Sequence, residues 1–395
     1  MLKIHNLTPD HFHPRYKLSS NKKATLFSDF CWRLGVAFSF DEESNLCEVE
    51  LPFDDDQMEL SCDILYDIDW DYLKKNTNKK LIITHRIICY NLSNYIKTLT
   101  QLIEKYELQD RVYWLTCNPY ELNFYNGVTP KLLYLDSLTL AYCEAYVAYY
   151  SEISRRDDIN SQEYSFEYVP SNREVTKYFI SSTRSTKAHR LLSTYLIKDK
   201  IDSNKGIVTF HGIQDGKNQL EYLLSQKDRI LSFGIDIDKL IDFKNFRGEV
   251  IDNVNRAFLV SYKDVFVKEV ESTLINYVQE STSNSNEIFI TEKIWQNYSM
   301  GRPFILNGCR GTLKYLSRYY GFKSFDSIFD ESYDMMDNFI DRAYYGVEEL
   351  IKFCNLPFEE AQAKVNSVQH ILDHNKKVFN SIDHRKNLLR IFDAI

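Results

Sequence analysis

The sequence LINYVQESTSNSNEIFITEKIWQNYSMGRPFIL, residues 274–306, begins and ends with short apolar runs. The first run, residues 274–278, and the last, residues 303–306, have the length and the branched and aromatic side chains of buried strands. Between them, residues 292–299 have the periodicity of a helix. Two strands joined through a helix form a parallel crossover unit, so this stretch predicts a layer of an α/β fold.

The same order of elements recurs twice earlier in the chain. Strand, helix and strand are predicted over residues 80–84, 91–106 and 111–116, and again over residues 177–182, 187–197 and 206–210. Between these two sets, residues 155–174 are polar, contain Pro170 and have no sustained period. We therefore expect an α/β domain over residues 1–160, a second over residues 175–357, and a helical tail over residues 358–395.

Composition is that of a folded protein, with 44% apolar and 26% charged residues in a chain of 395. The net charge of −8 argues against a surface built throughout for nucleic acid, although a local basic cleft is compatible with it. The eight cysteines show no Cys-x-x-Cys and no zinc-site spacing, which is typical of reduced thiols in the cytosol. No leader-like or membrane-spanning apolar stretch occurs. We therefore expect a cytoplasmic protein.

The pair Glu292 and Lys293 opens the helix predicted over residues 292–299. A helix start presents backbone N–H groups and a partial positive charge to an anion. Glu292 can accept hydrogen bonds from two adjacent hydroxyls, such as those of a ribose, and Lys293 can neutralise a phosphate. The combination suits a nucleotide diphosphate. The alternative is a capping arrangement without a ligand, for which Thr-Glu-Lys is a common sequence.

Two other polar clusters follow predicted strands, where the ligands of open parallel sheets bind. Arg184 follows residues 177–182 and could clamp a diphosphate; the alternative is a solvated helix start. Glu280 follows residues 274–278, and a carboxylate there should meet water, a cation or a ligand hydroxyl. The structural alternative for Glu280 is an ion pair with Lys293 or Arg302.

These residues carry a resemblance to a known family. Glu280 and Ser281, the segment TEKIW at residues 291–295, Gly301 and PFI at residues 303–305 resemble the donor-binding segment of fucosyltransferase-like glycosyltransferases of the GT-B type. The continuation through residue 334 is similar to glycosyltransferase-like proteins of phages and giant viruses. The resemblance covers about one-fifth of the chain.

The resemblance implies a GT-B fold, in which two Rossmann-like domains face a cleft and the C-terminal tail returns to the first domain; a partner-binding tail is the alternative. It implies transfer of a hexose or pentose from a nucleotide diphosphate sugar to an acceptor hydroxyl, with no metal and no cofactor. Arg184 and Lys293 would stabilise the leaving diphosphate, Glu292 would hold the ribose, and Glu280 would contact the donor. If the chain is viral, it would act in the host cytoplasm.

The transfer needs a general base on the acceptor side, in the N-terminal domain. His85 directly follows the strand predicted over residues 80–84 and belongs to a residue type with a suitable pKa. Its rivals are Asp67, Asp69 and Asp71, which the sequence also allows in a solvated loop and helix start. We expect His85 to be the catalytic base.

The acceptor is left open between a glycan, a protein and a hydroxymethylated pyrimidine in DNA. A DNA acceptor would require base flipping and a local basic rim. A different class of function is a catalytically silent nucleotide-sugar-binding or structural protein on the same fold. The acidic residues Asp330, Glu331 and Asp334 are assigned to a surface loop that closes the domain, and no metal site is predicted.

Overall fold

The computed structural model describes residues 2–7, 37–51, 62–85, 93–116, 130–135, 174–183, 186–210, 217–243, 267–283 and 288–395. Backbone contacts divide the chain into two compact units. The first consists of Met1–Glu163 together with Asp383–Ile395, and the second of Tyr164–Ile382. In the described parts of the chain, no helix combines the length and apolar character needed to cross a membrane.

Ten strands and thirteen α-helices are numbered here in chain order within the described ranges. The strands are β1 (Leu2–Asn6), β2 (Phe38–Phe40), β3 (Leu46–Leu51), β4 (Lys80–His85), β5 (Val112–Thr116), β6 (Lys131–Tyr134), β7 (Lys177–Thr183), β8 (Gly206–Phe210), β9 (Thr273–Gln279) and β10 (Phe304–Asn307). The helices are α1 (Trp70–Lys75), α2 (Ser93–Tyr106), α3 (Ala188–Lys200), α4 (Lys217–Leu224), α5 (Lys227–Ser232), α6 (Ile237–Asp242), α7 (Val267–Glu271), α8 (Glu292–Met300), α9 (Thr312–Tyr315), α10 (Phe339–Cys354), α11 (Phe358–Ser367), α12 (Gln369–Asn380) and α13 (His384–Ala394).

The first unit contains a parallel sheet of six strands in the order β2-β1-β3-β4-β5-β6. Helix α2 covers it with apolar residues at helical spacing, Ile96, Leu99, Leu102 and Ile103, all of which are buried. The helix ends at Glu107, whose φ of 62° is left-handed, and Leu108 N donates back to Ile103 O at 2.9 Å. This arrangement satisfies carbonyls that a helix end otherwise exposes.

The second unit contains a parallel sheet of four strands in the order β10-β9-β7-β8. Helix α3 is buried from Ala188 to Ile197 and packs against α10. Strand β8 begins with a glycine, Gly206, because a Cβ at that position would lie 2.2 Å from the ring of Phe179. The register of the parallel strands places the carboxyl ends of β7, β9 and β10 side by side.

The predicted strand-helix-strand sets are all confirmed as elements, and no end is displaced by more than three residues. The molecule is a mixed α/β protein with parallel sheets, whereas the GT-B arrangement stays a prediction. The tail is helical as predicted, but it consists of three helices and is shared between the units. Helices α11 and α12 belong to the second unit and α13 to the first.

Candidate functional site

A buried carboxylate marks the carboxyl end of β9. Glu280 follows the strand directly, is fully buried, and accepts hydrogen bonds through both oxygens. Its Oε1 accepts from Thr291 N at 3.0 Å, and its Oε2 accepts from Thr291 Oγ1 at 2.6 Å and from Ser281 N at 3.2 Å. These bonds stabilise the buried charge. They also join the end of β9 to the start of α8, eleven residues later.

Thr291 is the N-cap of α8, with extended backbone angles and a side chain that accepts from Lys293 N at 3.4 Å. The same hydroxyl oxygen accepts from Lys293 Nζ at 3.0 Å and donates to Glu280. Threonine at this position stabilises a helix start because its oxygen satisfies a backbone N–H that has no partner within the helix. At its other end the helix stops at Gly301, which has a left-handed φ of 63°.

Two cationic side chains converge on the loop residue Ser281. Lys293 Nζ lies 3.4 Å from Ser281 Oγ, and Arg190 Nη2 lies 3.3 Å from the same oxygen. Arg190 is buried in α3, and its Nε donates to Glu280 O at 2.8 Å. Two positive charges and a helix N-terminus therefore meet just beyond β9, next to the buried carboxylate of Glu280. Such an arrangement attracts an anion.

His189 supports the backbone at this point. Its Nε2 lies 2.8 Å from Glu280 O, and because a carbonyl only accepts, this nitrogen carries the proton. Burial, reinforced by the charge of Arg190, lowers the pKa of His189 to about 3. The ring is therefore neutral at physiological pH. It holds the backbone of Glu280 and adds no charge to the anion site.

A buried polar layer lies between the sheet and α3. Gln279 Nε2 donates to Ser181 Oγ and to Thr183 Oγ1, each at 2.9 Å. Asn307 Nδ2 donates to Ser193 Oγ at 2.7 Å. Because these residues stand at the ends of three adjacent strands and on α3, the layer fixes where each strand ends. The loops that leave the strands therefore start from a rigid edge.

Arg342, on α10, ties three loops together. This buried guanidinium donates through Nε to Gly308 O at 3.1 Å, through Nη1 to Asp337 O at 3.0 Å, and through Nη2 to Ser283 O. Ser283 lies two residues after Ser281, and Gly308 follows β10. Burial lowers the pKa of Arg342 from its ordinary value, against the raising effect of nearby acidic groups. A planar group with five donors is well suited to such a junction.

The structure brings Glu280 and Lys293 together through Thr291. The hydrogen bonds that Glu280 accepts from Thr291 and Ser281 are compatible with a supporting role, and its contact with the donor stays a prediction. Arg302 Nη2 donates to Thr273 Oγ1 at 2.9 Å. Arg184 lies outside the described residues. Glu292 is the first residue of α8, and His85 is the last residue of β4, but both side chains lie outside the described set. Their roles stay predictions.

Two contacts of this site were not predicted from the sequence: the hydrogen bond from Thr291 to Glu280 and the approach of Arg190 to Ser281. The sequence predicts Thr291 as part of a capping arrangement at the start of the helix, and it favours a structural role for Arg190 in the helix predicted over residues 187–197. A carboxylate in the first unit was also missed. Glu48, in β3, is buried and accepts from Thr84 Oγ1 at 3.1 Å. Its signal was a glutamate between apolar residues, in a strand that also contains Glu50.

The acidic segment after residue 329 is not simply a surface loop. Asp330 is exposed, but Tyr333 and Asp334 are buried. Tyr333 Oη accepts a hydrogen bond from Leu306 N at 3.0 Å, and Asp334 Oδ2 accepts one from Leu313 N at 3.1 Å. This segment, the 3-10 helix Glu331–Met335, therefore anchors α9 to β10. Among the residues that the structure describes, no group of three His, Cys, Asp or Glu side chains is placed to hold a metal ion.

No family model matches the sequence. No curated protein shows significant sequence similarity to it. Among solved structures, the chain is similar to a glycosyltransferase from Rickettsia africae ESF-5, at 13% identity and a TM-score of 0.39, with 95% of this chain and 84% of that chain covered. Similarity at this level leaves the function of this chain open.

Proposed function

We propose that the protein is a glycosyltransferase that moves a sugar from a nucleotide diphosphate donor to an acceptor hydroxyl without a metal ion. The observation that carries the proposal is the convergence of Arg190 and Lys293 on Ser281, in front of the N-terminus of α8. This is a place where the carboxyl end of a parallel strand meets a helix start, which is where α/β folds bind phosphates.

The chemistry that this site would support is departure of a diphosphate. When the bond between the anomeric carbon and the diphosphate oxygen breaks, its electron pair passes to that oxygen, and negative charge grows there. Lys293, Arg190 and the N–H groups at the start of α8 would stabilise this charge. Glu280 and Thr291 would act as positioning residues, since they hold the end of β9 against α8.

The rest of the reaction rests on side chains outside the described set. Glu292 would hold the ribose and Arg184 would contact the diphosphate. His85, at the end of β4, would take the proton from the acceptor hydroxyl as its oxygen attacks the anomeric carbon. The acceptor is proposed to be a glycan, a protein or modified DNA.

Ligand-induced thermal stabilisation tests the donor site, because a ligand that binds only the folded state raises its stability. The ligands are a panel of nucleoside diphosphates and nucleotide sugars. We expect one base to raise Tm, and Lys293→Ala to abolish the rise. The matched control, Lys239→Ala, removes an exposed lysine of α6 and should leave the rise intact.

The outcome also separates two classes of function. If a nucleotide sugar binds and its nucleoside diphosphate is released only when an acceptor is added, the enzyme proposal stands. Binding without release, over a broad panel of acceptors, would favour a silent binding protein. If no nucleotide raises Tm, the proposed donor site is contradicted.

A further inference from the structure

Exposed apolar side chains gather on one face of the second unit. This face is formed by α10 and by the shorter helices α4 and α5, and we call it the aromatic face. Its members are Tyr222, Leu231, Phe233, Phe339, Tyr344 and Tyr345. Leu231 is 52% exposed, Tyr345 41% and Tyr222 40%. A single exposed apolar residue needs no explanation, whereas several on one face are typical of an interaction surface.

Ring contacts join the members of the aromatic face. Tyr222, on α4, stacks on Phe339 at the start of α10, with ring centroids 5.7 Å apart. Phe233, directly after α5, stacks on Tyr344 at 4.1 Å and meets the ring of Tyr345 edge-on at 5.8 Å. These contacts place α4 and the end of α5 beside α10. Because the rings already hold one another in position, a partner would cost them less conformational entropy.

The charged groups that flank these rings are paired within the chain. Arg229 donates to Asp341 through Nε at 2.7 Å and through Nη2 at 2.5 Å, and its guanidinium lies 5.3 Å from the ring of Phe233. Lys200, at the end of α3, donates through Nζ to Glu348 at 2.8 Å. A partner that covers the face would therefore bury no unpaired charge from these four groups.

The serines of α4 and α5 also have their partners within the chain. Ser225 Oγ donates to Tyr222 O at 2.7 Å, and Ser232 Oγ donates to Arg229 O at 2.7 Å. Both serines are exposed, but these hydrogen bonds would persist if water were excluded from the face. The aromatic face can therefore lose its water without leaving these hydroxyls unsatisfied.

The charges at the border of the face favour a second copy of this chain as the partner. Lys227 and Asp228 are adjacent and exposed on α5, and Glu221 is exposed on α4. None of these three side chains makes an ion pair with a residue that the structure describes. In a two-fold contact both sides present the same surface, so a border with both signs can pair with itself. A border of one sign would repel its own copy.

The overall charge of the chain adds to this argument. Two copies that each carry a net charge of −8 repel one another, and they approach most easily where the local charges are paired or of both signs. We propose that the aromatic face is the contact between two copies of this chain in a homodimer. Aromatic residues and arginine are the types enriched in such contacts. The proposal does not rest on the donor site, since neither Lys293 nor Arg190 belongs to the face.

Sedimentation equilibrium with the full chain tests the proposal, from about 0.1 to 100 μM, a range that covers the dissociation constants of ordinary dimers. We expect an equilibrium between monomer and dimer. Tyr345→Glu and Leu231→Glu should each weaken dimerisation by at least about tenfold, because the contact would remove water from a new carboxylate. The matched control Tyr319→Glu changes a tyrosine that is 51% exposed outside the face, and it should leave the dissociation constant unchanged.

A measurement on the wild type guards against variants that fail to fold. Hydrogen exchange at the two ends of the concentration range should be slower at high concentration in α4 and α5, and unchanged in α12. A wild type that stays monomeric at every concentration would overturn the proposal. A dimer that both glutamate substitutions leave intact would do so too, as would equal weakening by Tyr319→Glu. Thermal stabilisation by nucleotides is measured separately, so the failure of one proposal leaves the other standing.

Discussion

Thr291 is the residue through which the candidate site is assembled. Its hydroxyl donates to the buried Glu280 and accepts from Lys293, so a carboxylate and a cation share one small side chain. Neither partner is adjacent to the other in the sequence. The distance between them could not be predicted, because the ten residues between Glu280 and Thr291 leave the path of the chain undetermined. The local pattern did predict that a helix begins there.

Thr291→Val removes the hydroxyl and keeps the shape of the side chain. We expect the unfolding free energy to fall by about 1–3 kcal/mol, since the buried Glu280 Oε2 loses a hydrogen bond to a charged group. Thr291→Ser retains the hydroxyl and should lose far less. Chemical denaturation measures both. Equal losses in the two variants would show that the bond to Glu280 contributes little.

Glu331 makes stability depend on pH. Its pKa is raised from 4.5 to about 7, so the native state holds the proton more tightly than the unfolded chain does. The contribution of Glu331 to the unfolding free energy therefore falls as the pH rises between these values. Relative to the wild type, Glu331→Gln should gain about 1–3 kcal/mol between pH 5 and pH 8. Denaturation at four pH values measures the difference in unfolding free energy between the variant and the wild type. A difference that does not change with pH would contradict the prediction.

At the scale of elements, apolar runs were sufficient to predict the strands that parallel sheets bury on both faces. Strand β9 and its neighbour β10 are examples. Strand β3 was not predicted, because Glu48 and Glu50 interrupt its apolar pattern. Only the fold provides Glu48 with its buried partner Thr84. The burial of Arg190 in a helix could not be predicted from the local sequence either. Its sequence context does not indicate that packing of α3 on the sheet buries it.

The end of α2 offers a test of backbone strain. Glu107 has a φ of 62°, a conformation that costs a residue with a Cβ more than it costs glycine. Its exposed ion pair with Lys74, at 3.4 Å, contributes little. Glu107→Gly should therefore raise the unfolding free energy by about 0.5–1 kcal/mol. The control Glu104→Gly, within the helix, should lower the unfolding free energy by a similar amount. An equal loss in both variants would contradict the left-handed conformation of Glu107.

At the scale of the whole molecule, the first unit contains both the N-terminal and the C-terminal segment of the chain. Helix α13 returns to the first unit after the second unit is complete, and it contacts β6. Its residues Leu388 and Ile391 are buried. The first unit is therefore formed by two segments that are more than two hundred residues apart in sequence.

Two adjacent leucines of α13 test this docking. Leu388 is fully buried, whereas Leu389 is 38% exposed. Leu388→Ala should lower the unfolding free energy by about 2–4 kcal/mol, because it leaves a cavity. Leu389→Ala should change it by less than about 0.5 kcal/mol. Denaturation curves of the two variants that coincide would show that α13 contributes nothing to the first unit.

The guanidinium of Arg342 has a consequence for cooperativity. Since it holds Ser283, Gly308 and Asp337, the three loops cannot open independently. Their amide hydrogens should exchange with deuterium through one shared opening event. A nucleotide that orders the loop after β9 should then slow exchange near Asp337 as well, more than fifty residues further along the chain. Binding at one loop would therefore slow amide exchange in the other two.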